Sequence, residues 1–292
     1  MILVVGSTGI LGGEVCRLLR EAGKPVRGLV RSTSGEEKVA RLKALGVETV
    51  LGDLKDPASL QAACQGVDAV ITSATTTISM QPGDSIPVTD QQGQLDLVLA
   101  AREAGVKHFT MVSIPRTVGD CPLRTAKRTV EQAIISSGME YIVLRPCIFM
   151  EMWLSPALGF DYVNGKATIY GDGHAKNGYI SVGDVAQYAV DSLNNPAARN
   201  ACYDLGQPRT YSMLEAVLVF EQASGKTFEL SFIPAAALEA QLTAATDPLQ
   251  VSFTTLMHDM AIGNLRGDPR EAERCFGLRL TTLEEYARRV SG

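Results

Sequence analysis

Three glycines at three-residue spacing, Gly6, Gly9 and Gly12, lie between an apolar run, Ile2 to Val5, and a helical pattern. In that pattern Val15, Leu18 and Leu19 share one face while Glu14, Arg17 and Arg20 face away. The chemistry implied is done by backbone. A strand that turns on glycine into a helix N-terminus presents unpaired N–H groups and the positive end of the helix dipole, which together hold a phosphate. Gly6 permits the tight turn, Gly9 lets the backbone approach a pyrophosphate, and Gly12 lets helix and strand pack closely. The spacing is GxxGxxG rather than the G-x-G-x-x-G of the standard dinucleotide motif, and a purely structural turn is the alternative. About twenty residues on, where such folds choose their cofactor, a second strand, Pro25 to Val30, ends at Arg31. An acid there would hydrogen-bond the ribose hydroxyls of NAD. A guanidinium forks onto phosphate, so this position predicts the 2′-phosphate of NADP, an exposed surface arginine being the alternative.

The elements that must position these residues alternate. Further strands are predicted over Val47–Leu51, Ala69–Thr72, His108–Val112 and Tyr141–Leu144. Helices are predicted over Gly35–Leu45, from the Asp56-Pro57 cap, over Asp90–Ala104 and over Thr125–Ser137, with Gly46, Gly105 and Gly138 after three of them. Thr76 to Pro87 reads as a mobile polar loop at the carboxyl end of the sheet, where open α/β folds bind ligands. Six strand–helix alternations predict an α/β, Rossmann-type, doubly wound parallel sheet. Beyond Pro146 the rhythm is irregular, and from Ser212 mainly helical. The expected organisation is a cofactor-binding domain over 1–150, with 181–205 returning to it, and a smaller substrate-binding lobe from 151–180 and 206–292.

The 292-residue chain is 46% apolar and 20% charged, ordinary for a globular protein. A net charge of −5 with scattered basic residues gives no footprint for nucleic acid. No apolar run reaches transmembrane length, and the chain starts directly in a strand, so a cytoplasmic protein without membrane partners is expected. The six cysteines are far apart, with no metal-ligand spacing, and read as reduced and mostly buried thiols; the three histidines form no ligand cluster. A monomer and a homodimer are both open.

Gly6-x-x-Gly9-x-x-Gly12, Leu29-Val30-Arg31, Gly52-Asp53-Leu54, Ala126-Lys127, Leu144-Arg145-Pro146 with Phe149-Met150-Glu151, and Ser181-Val182-Gly183-Asp184-Val185-Ala186 occur in this order. Together they resemble the NmrA-like branch of the atypical short-chain dehydrogenases/reductases, across essentially the whole chain. The resemblance implies that Gly6, Ser7, Thr8, Gly9, Ile10 and Leu11 hold the pyrophosphate of NADP(H) and Arg31 its 2′-phosphate. It implies that Asp53 and Leu54 flank the adenine, that Ser73 and Ala74 line the ribose side, and that Ile148 and Phe149 wall the nicotinamide. On the residues alone, Asp53 is equally a turn residue and Phe149 a core aromatic.

The wider superfamily uses Tyr-x-x-x-Lys after the fifth strand, the lysine lowering the tyrosine pKa and binding the nicotinamide ribose. Here Lys127 is present, but four residues earlier stands Leu123, preceded by Pro122. Three readings follow. Lys127 anchors the ribose and helps protonate product; or the acceptor takes its proton from water; or the protein holds NADPH without turnover and acts as a redox sensor through protein partners. The first two make the chain an oxidoreductase passing hydride to a small electron-poor acceptor such as a quinone, conjugated carbonyl or dye. Ser113, at the end of the fifth strand, is a substrate-binding serine or a turn serine. His174 and Tyr179 lie in the irregular segment, within reach of a pocket.

Overall fold

Strands buried on both faces need apolar side chains on both faces, and ILVV (Ile2–Val5), AVIT (Ala69–Thr72) and HFTMV (His108–Val112) are buried at every position. In this computed structural model, which describes residues 1–77, 81–117 and 119–291, they form the middle of a seven-stranded sheet. The elements of its alternating part are β1 (Ile2–Val5), α1 (Ile10–Glu21), β2 (Val26–Val30), α2 (Glu36–Ala44), β3 (Glu48–Leu51), α3 (Pro57–Cys64), β4 (Ala69–Thr72), α4 (Gln94–Glu103), β5 (His108–Val112), α5 (Pro122–Ile135) and β6 (Glu140–Pro146). The strand order is Ala201–Leu205, then β6, β5, β4, β1, β2, β3. The neighbours from β6 to β3 pair in parallel. The chain order reverses between β1 and β4, the switch point at whose carboxyl end open α/β sheets bind ligands.

The chain forms two compact units: Met1–Ser113 with Pro122–Leu144 and Val185–Tyr203, and Ile114–Cys121 with Arg145–Asp184 and Asp204–Gly292. The first has a core between sheet and helices that includes Leu3, Val5, Leu60, Val70, Leu97, Phe109 and Val130. The second is mainly helical, with Met213–Ser224, Ala235–Ala244, Pro248–Ile262, Arg270–Phe276 and Leu283–Ser291. A small sheet orders Glu229–Ile233, Lys166–Tyr170 and Phe160–Asp161. Its core centres on Phe220, whose ring meets Phe160 edge-on at 4.8 Å and Tyr286 at 6.1 Å.

Two helix starts depart from expectation by three residues or more, and one further helix has no periodic signal in the sequence. Helical winding expected from Asp90 begins at Ile86, as a π-helical stretch, Ile86–Gly93, that runs straight into α4. Ser85 caps it by accepting the Val88 N–H at 3.3 Å, and Pro87 sits in the first turn, where its missing N–H costs nothing. Of the loop expected over Thr76 to Pro87, residues 78–80 lie outside the described residues. α5 begins at Pro122 rather than Thr125 for the same reason of proline at a first helical turn. The helix Arg270–Phe276 arises where no apolar periodicity marks it; only Ala272 of it is buried.

Candidate functional site

The turn after β1 is shaped by two glycines that no other residue replaces. Gly6 has φ +88°, and a Cβ on it would lie 2.9 Å from the Ala74 backbone nitrogen. A Cβ on Gly12 would stand 2.1 Å from the Gly6 carbonyl oxygen, inside the backbone itself. Helix α1 therefore starts pressed against the turn, with Gly9 as its N-cap and no side chain bonded to its first amides. Those N–H groups have no intrahelical partner, and the first turn carries no acid that would repel an anion. Ser7 is fully buried and donates its hydroxyl to the Leu29 carbonyl at 2.8 Å, tying the loop to β2. Gly28 makes the room: a Cβ there would meet Ser7 Oγ at 3.1 Å. Thr8 is half-buried, as is Leu11, while Gly9 and Ile10 are exposed. The cradle thus fits a pyrophosphate: bare amides, a helix dipole and no competing side chain.

At the end of β2, Arg31 donates to Asp84 Oδ2 at 2.7 Å. The same carboxylate is bonded by the Lys55 ammonium and by the Gln81 N–H at 2.9 Å, with Thr89 Oγ1 at 3.4 Å. Lys55 also stands 3.4 Å from Asp53, whose Oδ1 accepts the Lys55 N–H at 2.9 Å. Burial by itself would raise the Asp84 carboxyl pKa; the Lys55 ammonium, the Gln81 amide and the Arg31 guanidinium outweigh it and hold the group below the ordinary carboxylate range. Leu54, beside Asp53, is buried in the first unit's core.

Lys127, on α5, is buried, and its Nζ donates to the Ala74 carbonyl at 3.3 Å and stands 3.4 Å from Asp90 Oδ1. Asp90 is fully buried on the π-helical stretch and accepts the Thr76 N–H at 3.0 Å and hydroxyl at 2.6 Å. Gln94 donates to the same Ala74 carbonyl at 3.1 Å and accepts from Thr72 at 3.1 Å. Ala74 thereby joins the two halves of the site, its nitrogen against Gly6 and its oxygen on Lys127. Ser73 continues β4 by donating its N–H to Val5 at 3.0 Å. Ser113 donates its hydroxyl to the buried Glu131 at 2.5 Å, and Arg128 pairs with Glu131 at 2.6 Å. Leu123, one helical turn before Lys127, is 2% exposed, an apolar side chain with no hydroxyl to offer.

Asp84, Lys55 and Asp90 were not legible as site residues. Each depends on a partner 29 to 53 residues away or on a helix phase that only the π-helical winding sets. Ile148 and Phe149 belong to the second unit, as a two-residue strand paired in parallel with Tyr179–Ile180. Tyr179 is fully buried and edge-on to Tyr211 at 6.4 Å; burial pushes its phenol pKa up. His174 is exposed on a turn where its N–H bonds Asp172 at 2.9 Å. An open cavity of about 770 Å³ lies at the opposite end of the sheet, lined by the first residues of β1, β4, β5 and β6 together with Lys24, Lys107 and Arg199. It is remote from the glycine turn.

Set against known proteins, residues 1–287 match the profile of the NmrA-like family. An NAD(P)H azoreductase of Xenophilus azovorans is 35% identical, the match covering 77% of this chain and 74% of that protein. An isoflavone reductase homolog of Zea mays is 31% identical over 99% of this chain and 97% of its own length. The crystal structure of the Citrobacter sp. triphenylmethane reductase complexed with NADP(H) superimposes over the whole of both chains with a TM-score of 0.80 at 22% identity, a likeness of fold. No helix among the described residues is long and apolar enough to cross a membrane.

Proposed function

The chain belongs to the NmrA-like family, and on that premise we propose that it is an NADPH-dependent oxidoreductase that reduces a small electron-poor acceptor, a quinone, azo compound, conjugated carbonyl or cationic dye. One observation carries the reading: Ala74 packs against the glycine turn on one side and accepts the Lys127 ammonium on the other. A phosphate cradle and a buried proton-bearing group are thus held within one local framework. The names of the relatives, an NAD(P)H azoreductase and an isoflavone reductase homolog, support the cofactor and the reaction type. When bound, NADPH supplies the hydride.

The chain's own residues divide the remaining work. The first amides of α1 bind the pyrophosphate, with the loop from Gly6 through Ser7 and Thr8 to Leu11 fixed by the Ser7 bond to Leu29. Arg31 reads the 2′-phosphate. Asp53 and Leu54 border the adenine, Ser73 and Ala74 the ribose, and Ile148 and Phe149 are assigned to the nicotinamide by family likeness alone. Lys127 holds a proton at Nζ while Asp90 and the Ala74 carbonyl fix the ammonium. Because Leu123 offers no hydroxyl, the favoured acceptors are those whose reduced form takes its proton readily from Lys127 or from water.

The test is NADPH oxidation followed across a panel of quinones, azo compounds, triphenylmethane dyes and conjugated carbonyls. Turnover with at least one class, faster with NADPH than with NADH, is the expected result. Tight NADPH binding with no oxidation on any of them overturns the catalytic reading and leaves that of a cofactor-binding redox sensor, which the apolar Leu123 would then explain.

A further inference from the structure

The Arg31 guanidinium is already engaged by a carboxylate of this same chain. Asp84 reaches it from 53 residues further along, in the connection that follows β4, and its side chain is only 1% exposed. Lys55 bonds the other carboxylate oxygen and also faces Asp53 at 3.4 Å. Two cations are therefore balanced by two carboxylates. A 2′-phosphate carries about −1.5 to −2 charges near neutral pH and three acceptor oxygens, and on the same guanidinium it would stand beside the carboxylate that holds Nη1, where like charges repel. NADH, with free ribose hydroxyls, makes no such demand.

We propose that Asp84 is a specificity-determining residue: its carboxylate occupies the Arg31–Lys55 pair as an internal stand-in for the 2′-phosphate, so that NADPH binds by displacing it while NADH leaves it in place. The inference rests on the reading of Arg31 as the phosphate-binding residue. It adds Lys55 to that subsite as the second cation the displaced phosphate meets. It also inverts the expectation for an acid near this position. An acid at the end of β2 selects NAD by bonding ribose hydroxyls, whereas Asp84 acts on the cations and tempers the preference for NADP. The energy of the Arg31–Asp84 contact is subtracted from NADPH affinity alone.

The experiment is equilibrium titration of wild type, Asp84→Asn, Arg31→Ala and the double variant with NADPH, NADH, 2′,5′-ADP and 5′-AMP. Asp84→Asn is expected to tighten NADPH and 2′,5′-ADP about tenfold and to leave NADH and 5′-AMP within about twofold. In the Arg31→Ala background the same substitution is expected to tighten NADPH much less. Unchanged or weakened NADPH binding by Asp84→Asn, with Arg31→Ala still selectively losing NADPH, overturns the role of Asp84 and leaves Arg31 as the phosphate reader. Equal losses of NADPH and NADH in Arg31→Ala overturn the underlying reading instead. Should the variants not fold, a crystal structure of the wild type with 2′,5′-ADP decides: the Arg31–Asp84 contact broken supports displacement, and the contact intact overturns it.

Discussion

The turn at Gly6–Gly12 and the buried pair Lys127–Asp90 lie on either side of one residue, Ala74, yet they are built in opposite ways. The turn is backbone. Its parts lie within seven residues, its geometry follows from missing Cβ atoms, and its charge is the partial charge of a helix end. The pair is side chain. Lys127 comes from α5, Asp90 from the π-helical stretch, and the two buried charges stand 3.4 Å apart. A backbone site tolerates changes in neighbouring side chains but not the addition of a single methyl group. A buried ion pair tolerates neither partner's loss, because the survivor is an uncompensated charge in a low dielectric.

That contrast can be broken from either side. The largest effect is expected at Gly12. Gly12→Val places a Cβ inside the Gly6 carbonyl, so stability should fall by more than about 4 kcal/mol, with NADPH binding lost; denaturant unfolding and cofactor titration check both. A variant of wild-type stability that binds normally would show that the turn is not backbone-limited. Next come Asp90→Leu and Lys127→Met, each expected to cost about 3–5 kcal/mol, while the double variant costs less than the sum of the two by about 2 kcal/mol or more, without full recovery, because the Thr76 N–H and hydroxyl still lack their acceptor. If Lys127 supplies the proton, activity does not return with stability; if water does, it returns in part. Additive losses in the unfolding free energies would show that the two side chains do not act as a pair.

The amino end of the sheet sharpens the comparison, because there a titratable group is buried without an ion partner. His108 bonds Thr110 Oγ1 at 2.9 Å, and Thr110 in turn bonds Ser192 at 2.9 Å. Burial lowers its pKa from 6.5 to about 4; the Glu140 carboxylate opposes that shift and Arg199 adds to it. The folded protein therefore favours the neutral ring, and as pH falls the unfolded chain takes up its proton first. This contribution is fully present above about pH 6.5, declines by roughly 3 kcal/mol between there and pH 4, and is flat below. The difference between wild type and His108→Gln in unfolding free energy should follow that window. A difference independent of pH would mean that His108 titrates normally in the folded state.

Much of the fold was legible because buried parallel strands must be apolar at every position. β1, β4 and β5 lie where the runs ILVV, AVIT and HFTMV predict them. Asp56 caps α3 as expected, accepting the Ala58 and Ser59 N–H groups. The start of the helix before α4 was not legible. Pro87 reads as a breaker in sequence, yet it occupies a first turn capped by Ser85, and the extra winding buries Asp90, which would otherwise read as a solvated N-terminal acid. Asp84 was hidden for a similar reason. A polar loop residue shows no periodicity, and nothing local says that it will meet a guanidinium 53 residues away.

By itself the sequence determined the glycine turn, the cation at the end of β2 and the alternating architecture that brings them to a switch point. These depend on steric limits and dipoles acting over a few residues, or on burial that must be repeated strand after strand. Only the tertiary structure decided which carboxylate faces Arg31, which holds Lys127, and that Ser113 turns to Glu131. Pairing of charged side chains across elements is set by where the folded backbone brings them, and a short charge-to-charge distance in a desolvated site leaves no periodic trace in the chain.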